Sequence, residues 1–330
     1  MDYILLPCIY TCPDGKHGDG YVDKGDLLNW RHKKAKVYLI AIESGYMATQ
    51  ASLTVLVDNN TLIDHYFSGE PGLSFLIRTA GKNILFDMGY SGLFIRNAHN
   101  MGIELLDLDM IVFSHGHLDH TGGLPAFIRY LENAIIEDIP HKVPEILCHP
   151  FCFYPRPKSP LPNIGSLVPD EEMRRHFIVN STTQPYKITE DLVFLGQIER
   201  KNSFEIQDPG KRKIIMPDGT IERDLIPDDS ALALKTGRGL VIVTGCSHSG
   251  ICNIVETART ICHEERFVDI IGGLHLLSPN QPALEKTRDY LQGLRLNALY
   301  SCHCTSLPSK LFLAAKCPVK ETGVGMTITW

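Results

Sequence analysis

Residues 113–123 read FSHGHLDHTGG, so His115, His117, Asp119 and His120 crowd into one short stretch. Upstream, DMIVFS (109–114) is an apolar run that reads as a buried strand. Downstream, LPAFIRYLENA (124–134) has the spacing of an amphipathic helix. The cluster therefore falls where a strand ends and a helix is about to begin, the crevice in which α/β sheets bind ligands. Two imidazoles at i and i+2 around Gly116 can converge on one cation, while Asp119 and His120, displaced along the turn, can face a second. Imidazole and carboxylate suit zinc, iron or manganese, and three protein donors per ion leave room for water. A closed structural site would draw on cysteine instead.

The same alternation runs through most of the chain. Short apolar strands are predicted at SLTVLVD, LSFLIRT, NILFDMG, DMIVFSH and EILCHP in the first half, and at DLVFLGQ, ALALKT, GLVIVTG, VDIIGGL and ALYSCH in the second. Several are continuous apolar runs, as expected for strands covered on both faces. Helices are interleaved. GICNIVETARTICHE puts Ile251, Ile254, Val255, Ala258 and Ile261 on one face with Ser249 as its N-cap. QPALEKTRDYLQGL places Pro282 in a first turn and Leu284, Leu291 and Leu294 along one line. The fold class is α/β. Residues 1–50 are an extension of uncertain structure, polar and Gly-rich; Cys8, Cys12, His17 and His32 lie in it at spacings that match no compact zinc finger, so it reads as a flexible arm. Residues 51–330 form the candidate catalytic domain. HPFCFYPRPKSPLPNIGSLVP (149–169) is too proline-rich for a regular element and is expected to be a surface loop or lid.

Composition narrows the function classes. The chain has 330 residues, is 44% hydrophobic and 21% charged, and so can bury a large core without disulfides. A net charge of -6 and a pI near 6.2 offer no general attraction to nucleic acid or anionic lipid. No apolar run reaches the roughly 20 residues needed to span a bilayer, and MDYILLPCIYTC lacks the basic flank of a secretory signal. A cytoplasmic location is expected, with the 10 cysteines as thiols.

An ordered set of motifs adds a resemblance. SHGHLDHTGG carries the HxHxDH signature of the metallo-β-lactamase superfamily, and with LTVLVDN, GLSFLI, ILFDMGYSG, TGCSHSGICNIV, IIGGLHL and HCTS it resembles the subgroup of 7,8-dihydropterin-6-methyl-4-(β-D-ribofuranosyl)aminobenzene-5'-phosphate synthases. The resemblance runs from about Leu53 almost to the C-terminus and implies a four-layer αββα sandwich with a dinuclear metal site at one edge. By the same token Asp87 orients the histidine loop without binding metal. His303 follows a late strand and joins Asp119 and His120 in a second site. The superfamily's third-motif histidine has no equivalent in FLGQIER (194–200), and His248 is expected to take its place beside His115 and His117. Cys246 stands where many members have a bridging acidic residue; it is expected to pack beneath the turn, with a thiolate ligand as the alternative, since at i and i+2 on an extended segment it and His248 point to the same side. Ser306 replaces the subgroup's usual glycine. His275 is a substrate contact or an outer donor, and Ser247 and Ser249 sit in a CSHSG turn whose amides suit a phosphate or carboxylate. Cys302 and Cys304, flanking His303 on an extended chain, are expected to point away and pack.

The expected cofactors are two divalent transition-metal ions, zinc first, with iron or manganese as the other candidates. The expected function is metal-dependent hydrolysis of a small anionic ester, phosphodiester or lactone by a metal-activated water, with Asp119 as ligand and proton acceptor. The family name implies an alternative, a transferase joining a dihydropterin methyl diphosphate to an aminobenzene ribofuranosyl phosphate. An iron-dependent redox protein is a further alternative, though no flavin module accompanies it; a non-catalytic scaffold has no need of this donor set. The expected partner is a small anionic metabolite, with no nucleic acid and no membrane.

Overall fold

The computed structural model describes residues 51–205 and 210–330. The extension, with Cys8, Cys12, His17 and His32, lies outside the described residues. One sheet runs in the spatial order β15 (Thr327–Thr329), β1 (Ser52–Val57), β2 (Ser74–Thr79), β3 (Lys82–Phe86), β4 (Met110–Val112), β5 (Glu145–Cys148) and β6 (Val179–Ser181). The other runs β14 (Ala298–Cys302), β13 (Phe267–Gly273), β12 (Gly239–Thr244), β11 (Ala231–Thr236), β8 (Leu192–Phe194) and β7 (Tyr186–Lys187). A separate hairpin pairs β9 (Lys213–Ile215) with β10 (Ile221–Arg223).

Why the strands are continuously apolar is visible in where alternate side chains go. Along β3 and β4, Ile84, Phe86, Met110 and Val112 enter the core between the sheets, where they join Leu232, Leu234, Val241 and Val243 from the other sheet. Their neighbours Leu85 and Ile111 turn outward beneath helices α1 (Leu93–Asn100) and α3 (Leu124–Ile136). In the second sheet Ala233, Ile242 and Ile270 turn outward under α5 (Ile251–Cys262) and α6 (Gln281–Gly293). Two outer helical layers on two inner sheets make the four-layer αββα sandwich. Each fully buried Leu, Ile or Phe contributes about 1.5–3 kcal/mol, so the inter-sheet layer is the main source of cohesion. All ten predicted strands are present. The strands that sequence reading did not find, β6, β7, β9, β10 and β15, are two or three residues long, too short to carry a period.

Strands β3 to β6 are parallel, as are β12 to β14. Their carboxyl ends lie at one edge of the sandwich, and His115, His117, His120, His248, His275 and His303 all follow one of them. The eight described cysteines are all buried free thiols. No helix among the described residues is long and apolar enough to cross a membrane.

Candidate metal centre

The turn after β4 descends into a four-residue helix, α2 (Leu118–Thr121), with His117 at its N-cap position. That geometry splits the signature. His115 and His117 stay on the approach to the helix, while Asp119 and His120 lie within it. His115 Nε2 is 3.0 Å from His117 Nδ1, which is 3.2 Å from Nε2 of His248, delivered by the loop after β12. Three donors around a tetrahedral ion at 2.0–2.1 Å would stand about 3.3–3.4 Å apart, close to these separations. On the other side Asp119 Oδ2 is 3.4 Å from His303 Nε2 and 3.9 Å from His120 Nε2. The structure thus brings together both predicted sets, and the donor types fit a pair of transition-metal ions.

Cys246 departs from expectation. Its sulfur is 3.1 Å from His120 Nε2 and belongs to both clusters, with Asp119, His120 and His303 on one side and His115 and His248 on the other. It faces the centre and does not pack beneath the turn. Cys304 is also corrected. His303 has φ +49°, which breaks the alternation of an extended chain, so Cys304 turns in behind the centre and its sulfur accepts from His275 N–H at 3.3 Å. Cys302 packs between the sheets as expected.

Which ring nitrogen points inward follows from the hydrogen bonds behind each ring. Fully buried Asp87 accepts from Ser114 N–H at 2.8 Å through Oδ1. Its Oδ2 accepts from Ser114 O–H at 2.6 Å and from His120 Nδ1 at 2.7 Å. The Ser114 oxygen in turn accepts from His115 Nδ1 at 3.0 Å. Asp87 therefore sets two rings, His120 directly and His115 through Ser114, leaving both Nε2 lone pairs for the centre. Asn59 Oδ1 does the same for His303 Nδ1 at 2.9 Å. His303 Nε2 has no hydrogen-bond partner among the described residues, which leaves its lone pair free to bind a cation.

Electrostatics agree with these roles. Burial, reinforced by neighbouring imidazoles, holds His115 and His248 well below the usual range, and burial with Arg156 does so for His117. These rings are neutral at pH 7, the form that binds metal. For His120 burial opposes the cation, but Asp87 and Asp119 outweigh it and raise the value. Burial works against the Asp119 carboxylate, yet His120 and His303 hold it well below the usual range, so it is ionised.

Other predicted residues fall elsewhere. His275 adjoins His248, ring centroids 4.2 Å apart, and burial with Arg212 nearby lowers it to about 4. It lines a cavity of about 340 Å³ with Ser247, Phe204, Ile251, Leu274 and Leu276. The expected anion anchor is corrected. Ser247 O–H is buried and donates to Gly273 O at 2.7 Å, and Ser249 N–H donates to Asp229 Oδ2 at 2.8 Å. Gly250, not Ser249, caps α5, and Glu205 accepts from Cys252 and Asn253 N–H at 2.9 Å each. Carboxylates of the protein already occupy the amides at this helix end. Ser306, where the subgroup has glycine, caps α7 (Leu307–Ala314) by accepting from Ser309 N–H. Away from the centre, His99, His141 and His263 are exposed, and His176, which ends α4 (Asp170–His176), is half-buried.

Several supporting residues escaped sequence reading. Asp58 accepts from His303 N–H at 2.8 Å, Asp228 from Gly116 N–H at 2.8 Å, and Asp229 from the His248 loop. The signal was an acidic residue at the edge of an apolar strand, in LVDN and PDDS, the same pattern that marks Asp87 in LFDMG.

This constellation, at the edge of an αββα sandwich, defines a metallohydrolase-type fold, and the chain belongs to the metallo-beta-lactamase superfamily, whose family model matches residues 68–259. Among its relatives is the 7,8-dihydropterin-6-methyl-4-(beta-D-ribofuranosyl)-aminobenzene-5'-phosphate synthase of Methanocaldococcus jannaschii, 29% identical over 258 residues, covering 74% of this chain and 84% of that protein. An uncharacterized protein of the same organism, MJ0448, is 30% identical over 257 residues, covering 77% and 90%. The solved structure of Tm1679, described as a metal-dependent hydrolase of the beta-lactamase superfamily, superimposes with a TM-score of 0.71 at 24% identity, over 84% of this chain and 98% of that one.

Proposed function

We propose that this chain is a metal-dependent hydrolase of a small anionic ester, phosphodiester or lactone. One observation carries the reading: two donor sets converge on a shared sulfur at a sheet edge, beside a cavity of small-molecule size. His115, His117 and His248 would hold one ion and Asp119, His120 and His303 the other, with Cys246 between them; zinc suits this mixture of imidazole, carboxylate and thiol best. Two such ions would supply Lewis acidity and activate a water at neutral pH. The protein supplies neutral imidazoles, made so by burial, and an ionised Asp119 whose side chain is 35% exposed while His120 beside it is sealed. Asp119 is therefore the donor that an incoming water can reach, and the group suited to accept its proton. His275, neutral at pH 7 and with neither ring nitrogen hydrogen-bonded among the described residues, can orient a polar group of the substrate.

The test compares metal-loaded and chelator-stripped protein on phosphodiesters, carboxylic esters and lactones. Metal-dependent turnover that disappears in Asp119→Ala supports the reading. Absence of turnover on all three classes overturns it. The 29% identity to the synthase favours a second reading, in which an arylamine displaces diphosphate from a dihydropterin methyl diphosphate. Mass spectrometry of that reaction with and without the amine separates the two. A new C–N bond with diphosphate release only when the amine is present would replace hydrolysis by transfer.

A further inference from the structure

The turn carrying His115 and His117 is held from outside its own strand. Gly116 N–H, between the two histidines, donates to Asp228 Oδ2 at 2.8 Å, and Asp228 Oδ1 is 2.8 Å from Arg156 Nη2. Arg156 is fully buried, the largest such side chain among the described residues, although its surroundings in PRPKSPLP suggested a surface loop. Its Nη2 also donates to Phe151 O at 3.1 Å, and its Nε lies 3.5 Å from Asp224 Oδ2.

The Pro-rich loop is exposed at its tip, residues 158–162, as expected of a surface loop, but its flanks form a wall against the turn. A Cβ added to Gly116 would come within 1.8 Å of Cys152 O. Leu118 N–H donates to Ile164 O at 2.8 Å, and β9 binds the loop on both sides of Arg156, through Lys213 N–H to Pro157 O and Ile215 N–H to Pro155 O. Burying a guanidinium is costly, and well-packed apolar groups commonly serve stability as well as a buried ion pair does. Cohesion alone therefore gives no reason for an arginine here. Geometry does, because the cation faces the one carboxylate that grips the amide between the two imidazoles.

We propose that Arg156 is a positioning residue for the metal centre. By pairing with Asp228 it fixes the acceptor for Gly116 N–H, and so sets the separation and aim of the His115 and His117 rings. The inference rests on the reading of those rings as metal donors, and it extends the centre's support to a loop with no ligand of its own. Outer partners of this kind typically contribute about 10–100-fold in metal affinity.

The experiment uses the full-length chain with Arg156→Lys and Arg156→Met, and Asp224→Asn as the comparison. Asp224 touches the guanidinium but not the histidine turn. Three readouts are taken: zinc affinity by competition with a chromogenic chelator, the visible spectrum of the cobalt-substituted protein, and hydrogen exchange of residues 115–118 in metal-free protein. Both Arg156 variants are expected to bind zinc about 10–100-fold more weakly, to alter the cobalt spectrum and to exchange faster at 115–118. Asp224→Asn should lower stability and leave all three unchanged. Should neither Arg156 variant fold, Asp228→Asn, which keeps an oxygen for Gly116 N–H but loses the ion pair, is read the same way. A folded variant with wild-type zinc affinity, cobalt spectrum and exchange overturns the proposal; so does an equal effect of Asp224→Asn, which would reduce Arg156 to general cohesion. Failure of the wild-type chain to bind metal would strike the proposed function, while exchange at 115–118 would still decide the role of Arg156.

Discussion

Replacing Asp87 by asparagine changes one carboxylate oxygen to an NH2 group and leaves size and shape intact. Asparagine also tolerates the left-handed backbone found there, φ +58°. If the new oxygen keeps Ser114 N–H, the NH2 must face Ser114 Oγ and His120 Nδ1, which stand 2.6 and 2.7 Å from the present oxygen. Both contacts then reverse. His120 Nδ1 has to accept, which moves its proton to Nε2, the atom aimed at the centre. Ser114 O–H turns toward His115 Nδ1 and does the same to that ring. The one escape is to flip the amide, which sets its NH2 against Ser114 N–H at 2.8 Å. Every arrangement leaves at least one buried polar group mismatched, at about 1–3 kcal/mol. Since 1.4 kcal/mol is tenfold, zinc affinity of Asp87→Asn should fall by roughly 5–150-fold. Competition against a chromogenic chelator measures this, with circular dichroism to verify that the fold is retained. A folded variant within about twofold of wild type would refute the tautomer account, since even one mismatch exceeds that.

Cys246→Ser and His248→Ala separate two kinds of donor: the histidine variant should lose about one metal equivalent, while the serine variant should keep its metals more weakly, read by elemental analysis after dialysis; unchanged affinity of Cys246→Ser would restore the packing role first expected for it. Acidification should destabilise the metal-free fold. His115, His117 and His248 have folded values below their unfolded value of 6.5, so the unfolded chain takes up protons that the fold refuses, and stability falls as pH drops below 6.5. Each contributes up to about 1.4 kcal/mol per pH unit, partly opposed by the raised His120, whose contribution is present below 6.5 and lost as pH rises through its folded value. Urea titrations at several pH values test the sign; stability that rises on acidification contradicts it. Glu205→Ala removes the two hydrogen bonds that close the start of α5 and should lower unfolding stability by about 1–3 kcal/mol, with no loss of zinc stoichiometry.

Much of this protein was legible in its one-dimensional pattern because the signals were local. Continuous apolar runs marked strands covered on both faces, and HGHLDH named most of its donors because a single turn carries them. Asp87 was legible for the same reason, as an acid ending an apolar strand. What tertiary structure decided lay where contact joins residues distant in the chain. Cys246 was expected to pack, but its orientation depends on a loop facing His120, 126 residues away. Cys304 was expected to point away from the centre and pack; it is buried, but the left-handed His303 broke the assumed period and turned it in behind the centre. Ser249 lost its capping role to Gly250 and Glu205, and Arg156, in a Pro-rich stretch expected to be a surface loop or lid, is sealed against Asp228. Periodicity reports which face of an element is buried, because burial repeats with the backbone. It carries no information on which buried polar group meets which, because that pairing is a property of the folded distance between them.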